Sequence, residues 1–240
     1  AMSVRRIGGG VLRKKTGENV FETVSYEMRF LGIGDLPLIM TLQEIVARNL
    51  PDHEIFRIDP EEYFRKHFSG PQNVIGVISE GELAAYCVIS FPGIEEDNFG
   101  RDIGLAPEAL SRVAHLETMA VHPAYRGNSL QRKIGRIHLG ILQAMRCEHI
   151  LCTVSPKNYP SLRNLFFFDF TIRALKIKYN WMLRYILYKN IRNPVRLTPA
   201  ERIWVENSDA ETQRELIERG YAGFEAVRGN GEDFKIAYGR

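Results

Sequence analysis

A chain of 240 residues can hold one large domain or a domain with an appendage, and 45% apolar with 25% charged residues is an ordinary globular balance. A net charge of +3 does not argue for a nucleic-acid partner. No run approaches the length of a membrane span and no charged-then-apolar start suggests a signal peptide, so the expected location is cytoplasmic. Cys87, Cys147 and Cys152 are an odd count, widely spaced among apolar residues, and read as reduced core residues, not as a disulfide framework or metal site.

In chain order, Ala1 ahead of Met2 reads as an expression scar, and residues 1–20 read as a flexible basic arm. Three consecutive glycines and five basic residues between 3 and 19 motivate that reading, with a hairpin turn at Thr16-Gly17 as its most ordered form. Val20 to Leu31 alternates like a strand. Asp35 is placed to cap a helix with Pro37 in its first turn and a buried stripe of Leu38, Leu42, Ile45, Val46 and Leu50. Pro51 ends it, and Asp59-Pro60 opens a shorter helix to about Phe68. Asn73 to Ser79 and Leu83 to Ser90 flank Glu80-Gly81-Glu82 as a hairpin, and a long loop follows from Phe91 to Arg112. Its residues Glu95, Glu96 and Asp97 would favour a cationic acceptor if the loop lined a cleft; an exposed acidic loop is the plainer reading.

The stretch from His115 to Met145 organises the rest. Leu116 to Val121 is a short apolar strand ended at Pro123, and Arg126-Gly127-Asn128-Ser129 is a small, basic turn. Leu130, Ile134, Ile137, Ile141 and Met145 then recur at helical spacing. A strand, a small-residue turn and a helix direct backbone N–H groups and the positive end of the helix dipole at one point, where an anion can be held. His149 to Val154 is a second apolar strand, Pro160 falls in the first turn of a helix to about Phe168, and Phe170 to Tyr179 and Leu183 to Lys189 are strands. The run Phe166-Phe167-Phe168 reads as core. Pro194 and Pro199 bracket a linker. Beyond it, a strand at Arg202 to Val205, a capping box Ser208-x-x-Glu211, a helix to Gly220 and a strand at Phe234 to Tyr238 make a β-α-β tail.

The central stretch resembles the acetyl-CoA-binding motif of the GCN5-related N-acetyltransferases, a strand followed by Arg/Gln-x-x-Gly-x-Gly/Ala and a helix. Arg126 takes the first position and Asn128 a variable one, whereas Ser129 and Gln131 stand where the family prefers Gly and Gly/Ala. The element order β-α-α-β-β-β-α-β-α-β-β over residues 21–192 is similar to that family's fold, an α/β mixed sheet with helices on both faces. Residues 193–240 would then be an extension packed on the domain or on a second copy in a homodimer.

The resemblance implies acetyl-CoA as co-substrate, no metal, and a small-molecule or peptide amine as acceptor. Acyl transfer needs a proton acceptor for the amine and a donor for the leaving thiolate. Glu117, on a face with Met119 and Val121, is the candidate base; a structural hydrogen-bonding role is its alternative. Backbone groups of Met119, Ala120 and Val121 are expected to take the pantetheine arm. Arg126, Gly127, Asn128, Ser129, Leu130 and Gln131 would take the pyrophosphate, and Arg132, Lys133 and Arg136 could reach the 3′-phosphate. Asn158 and Ser161 match the family's Asn-x-x-Ala, with helix capping as the alternative for Asn158. The family's thiolate-protonating tyrosine falls on Leu165, which leaves Tyr159, with Tyr125, Tyr179 or a water as substitutes. A non-catalytic acyl-CoA-sensing module is the alternative function, and a nucleic-acid role for the basic arm is a third reading.

Overall fold

The structure, a computed structural model, describes residues 5–68, 73–194, 197, 200–229 and 233–240, so Ala1, Met2 and Pro199 lie outside the described residues. Its strands are β1 (Arg6–Gly17), β2 (Val20–Phe30), β3 (Val74–Ser79), β4 (Glu82–Ser90), β5 (Val113–Val121), β6 (His149–Val154), β7 (Thr171–Lys178), β8 (Met182–Asn190), β9 (Ile203–Glu206), β10 (Ala222–Arg228) and β11 (Phe234–Gly239). The helices are α1 (Leu36–Arg48), α2 (Glu61–His67), α3 (Leu130–Ala144), α4 (Tyr159–Phe167) and α5 (Ala210–Glu218). The strands belong to one mixed sheet, and from β2 to β8 the order of elements is the one the sequence implies. Two compact units divide the chain: Ala1–Ser90 with Leu116–Ile141, and Phe91–His115 with Leu142–Arg240.

In the first unit β1 to β4 form an antiparallel meander. Residues 6–17 are therefore not an arm but a twelve-residue strand along β2. The turn expected at Thr16-Gly17 closes two residues later, at Glu18-Asn19, where Gly17 faces Val20 and Asn19 takes a left-handed φ of 58°. The glycines misled because they serve close approach and not flexibility. A Cβ on Gly9 would lie 2.8 Å from the Tyr26 carbonyl oxygen, and one on Gly10 3.2 Å from the Tyr26 ring. On one face of this sheet Leu12, Val24, Met28, Ile75, Val77 and Cys87 pack with Tyr125, Leu130 and Ile134. On the other, Leu36, Ile39, Leu42 and Val46 of α1 and Phe64 of α2 pack on Val74, Tyr86, Val88 and Ala120.

The buried stripe of α1 is thus Leu36, Ile39, Leu42, Gln43 and Val46, rotated from the expected one, with Leu38, Ile45 and Leu50 only partly covered. Asp35 places no side-chain cap on α1; its carboxylate takes two hydrogen bonds from Arg29 (2.7 and 2.8 Å) and one from the Gly32 amide. Along α3 the buried residues are Leu130, Ile134, His138 and Leu142, while Met145 lies past the helix end and is exposed.

In the second unit β6 runs parallel to the start of β5, and β8, β7, β10, β11 and β9 follow antiparallel. β5 begins at Val113, earlier than expected, because the loop before it is drawn into two 3₁₀ turns, Arg101–Ile103 and Pro107–Arg112. The extension is β-α-β-β: β10 was missed because its polar and small residues mask the alternation. The cap of α5 is Asp209, which accepts from the Thr212 amide at 3.1 Å, not Ser208. The Oε1 of buried Gln213 accepts from the hydroxyls of Tyr185 and Tyr238, both at 2.7 Å, and ties the extension to β8. Phe167, expected in the core, is exposed.

His138 is fully buried, neither ring nitrogen has a hydrogen-bond partner among the described residues, and burial pushes its pKa from 6.5 down to about 3. A depressed folded-state pKa means stability that is intact above pH 6.5 and is lost as pH falls toward 3. His138→Leu should therefore gain about 2 kcal/mol on the parent between pH 7.5 and pH 5 in denaturant titrations. An unchanged difference across that range would contradict it.

Candidate functional site

Beyond β5 the chain turns sharply. The His122 amide donates to the Ala84 carbonyl (2.9 Å), and His122 Nδ1 accepts from the Ala124 amide (3.1 Å), capping a 3₁₀ turn at Pro123–Tyr125. Tyr125 is buried, and its hydroxyl donates to Glu82 at 2.7 Å while Lys14 of β1 bridges Glu80 and Glu82 at 2.7 and 2.8 Å. Burial, then the Glu82 carboxylate, raise the Tyr125 pKa, so this phenol is committed to structure and is a poor proton source.

Gly127 and Ser129 both have left-handed backbone, at φ 86° and 56°. That is why a glycine suits position 129: an L side chain there costs about 1 kcal/mol. Between them the Asn128 side chain acts as a strand residue. Its Oδ1 accepts from the Arg13 amide (2.9 Å), and its Nδ2 donates to the Arg13 carbonyl (2.8 Å) and to the Tyr125 carbonyl (2.9 Å). α3 starts directly after, with the Lys133 amide on the Ser129 carbonyl (2.9 Å), so the amides of Leu130, Gln131 and Arg132 precede any helical acceptor. Arg126 has no carboxylate partner among the described residues, and burial alone lowers its pKa. A helix start preceded by a basic turn is an arrangement in which an anion can be held. Of the three cations on the outside of α3, Lys133 is engaged 5.4 Å over the Tyr26 ring and Arg136 is exposed.

Upstream on β5, Glu117 accepts a 2.7 Å hydrogen bond from Ser90. Met119 and Val121 pack toward the α3 face and Ala120 toward α1. Asp59, read from the sequence only as a helix opener, is a buried carboxylate held by Arg57 and by the Thr118 hydroxyl. Its amide and carbonyl exchange hydrogen bonds with the Gln43 side chain at 2.8 and 2.9 Å. Burial raises the Asp59 pKa, opposed by Arg57 and reinforced by the Glu117 charge. Tyr63 is raised by burial and then by Glu117 and Asp59. The sequence carried no signal for this cluster beyond the Asp59-Pro60 pair. Among the described residues no group of three or more His, Cys, Asp or Glu is placed to hold a metal ion.

The remaining candidates lie in the second unit. Asn158 Oδ1 accepts from the Ser161 amide at 3.1 Å and so caps α4. The Tyr159 ring lies 5.1 Å from that of Phe234, with the guanidinium carbons of Arg228 and Arg163 at 5.2 and 5.8 Å from its centroid. Leu165 is buried, and the Tyr179 hydroxyl is hydrogen-bonded to Thr153 (2.9 Å). Glu95, Glu96 and Asp97 are exposed.

The profile of the acetyltransferase (GNAT) family matches residues 40–166, more than half of the chain and all of the stretch from β5 through the turn into α3. The chain belongs to that family. Its fold is similar to an N-acetyltransferase from Staphylococcus aureus Mu50, at 11% identity and a TM-score of 0.53 over 69% of this chain and 98% of the other. It is also similar to YncA, an acetyltransferase candidate from Salmonella typhimurium solved with its cofactor acetyl-CoA (14%, 0.52, 72% and 98%). A third likeness is to the NatC complex bound to Gag peptide and CoA (13%, 0.53, 69% and 98%). At these identities the likeness is one of fold. No curated protein sequence matches the chain. The strand β1 that braces the turn of this GNAT protein lies outside the matched residues.

Asn128→Ala should destabilise the protein by about 1–2 kcal/mol through the lost bonds to Arg13 and Tyr125. Ser129→Gly, which removes left-handed strain, should be neutral or stabilising by up to about 1 kcal/mol. Chemical denaturation of both variants checks the pair, and equal effects of one sign would contradict the geometry.

Proposed function

We propose that the chain transfers an acetyl group from acetyl-CoA to the amine of a small-molecule or peptide acceptor, by direct attack in a ternary complex. The turn before α3 carries the reading. Two left-handed residues, the N-terminal amides of a helix start and a cation without a carboxylate partner among the described residues suit a diphosphate. Membership in the acetyltransferase family and structural neighbours solved with acetyl-CoA or CoA support the same donor.

When bound, acetyl-CoA supplies a thioester whose acyl carbon is open to an amine. In this reading Arg126 and the amides from Gly127 to Gln131 hold the diphosphate, and backbone groups of Met119, Ala120 and Val121 align the pantetheine arm. Glu117, oriented by the Ser90 hydroxyl, accepts the amine proton as the C–N bond forms. The like charge of Asp59 nearby is relieved when one of the two carboxylates takes a proton. Leu165 has no proton to give, so the sulfur released by C–S cleavage takes its proton from water.

Release of free thiol from acetyl-CoA should accelerate when a panel of amines and peptides is supplied. Glu117→Gln should lower turnover by about 10²-fold or more while CoA affinity stays within about twofold. CoA binding with no amine-dependent thiol release would identify a sensing module instead.

A further inference from the structure

The hairpin of β1 and β2 does more than brace the turn. Its tip forms one wall of a cleft of about 880 Å³, whose other walls are the end of α1 at Ile45 and the turn residues His122, Arg126 and Gly127. That volume is in the range of small-molecule sites. Lys15 and Phe21 stand opposite each other in the β1–β2 ladder and both line the cleft. Phe21 is nearly half exposed, at 45%, with the Arg13 guanidinium 4.3 Å from its ring centroid. Lys15 has no carboxylate partner among the described residues, although Glu18 also lines the cleft. The cleft is continuous with the anion site, because Arg126 and Gly127 belong to both.

An aromatic ring nearly half exposed and already carrying one guanidinium, beside a lysine with no carboxylate partner among the described residues and on the flank of the proposed diphosphate site, suits a phosphorylated nucleoside. We propose that the nucleoside 3′-phosphate end of CoA lies in this cleft, with Lys15 against the 3′-phosphate and Phe21 as the apolar wall for the base. This rests on the acetyl-CoA reading and gives it a different geometry from the outer face of α3. There Lys133 is already engaged with Tyr26. The 3′-phosphate carries nearly two negative charges at pH 7, and a lysine serves it as a compact point charge. Asn128 fixes the distance between the two half-sites, since its bonds to Arg13 lock the strand that carries Lys15 to the turn that carries Arg126.

Calorimetric titration with CoA and with 3′-dephospho-CoA tests this. The parent should bind CoA about tenfold more tightly than dephospho-CoA. Lys15→Ala should erase that preference by weakening CoA alone, and Lys15→Glu should reverse it. Arg136→Ala should leave it intact. Lys15 is exposed and unpaired, so these variants keep the parent melting temperature. A preference that survives Lys15→Ala, or that disappears in Arg136→Ala, overturns the placement but not the acetyl-CoA reading. A parent that binds neither CoA form overturns both.

Discussion

The bidentate pairing of the Asn128 carboxamide with the backbone of Arg13 is the constraint on which the site depends. A turn holding two left-handed residues, one of them a serine, is not a conformation this sequence takes by local preference. It persists because a side chain completes, in place of a strand, hydrogen bonds that the edge of β1 would otherwise offer to water. β1 is in turn held by Leu12 beneath α3 and by Lys14 on the hairpin carboxylates. A turn fixed before any ligand arrives does not lose ordering entropy on binding, which is what the proposed diphosphate site requires. A segment outside the residues matched by the family thus braces a turn that lies within them.

The same economy governs the carboxylates. β5 delivers Glu117 and Thr118 to opposite sides of one strand, so that Glu117 meets Ser90 while Thr118 reaches Asp59. Gln43 saturates the backbone of Asp59 and Arg57 offsets its charge, which is what makes a buried carboxylate tolerable. The cluster therefore links α1, the approach to α2 and the central strand through polar contacts that an apolar core could not specify.

Alternation and turn residues made the central strand and the β3–β4 hairpin legible, Pro160 marked the start of α4, and the fold class followed from the element order that resembles the acetyltransferases. What failed has particular causes. The glycines of β1 spoke for flexibility, although their function is to let the strand lie against Tyr26. The stripe of α1 was mis-phased because Gln43 is buried for its hydrogen bonds to Asp59, which hydrophobic spacing cannot register. His138 continues the α3 stripe as a histidine with no hydrogen-bond partner among the described residues, where apolar spacing points to Ile137 and Ile141. Asp59 and Ser90 are assembled by tertiary packing and leave no local signature. Asn128 was legible as a member of the turn but not as its latch, since its partner lies 115 residues away.

Backbone amide resonances followed during titration with CoA test the central claim most directly. The account predicts that the amides of Gly127, Ser129, Leu130 and Gln131 move first and furthest, and that inorganic pyrophosphate reproduces the displacement with lower affinity. Saturable binding that leaves those four amides unmoved while others shift would contradict it.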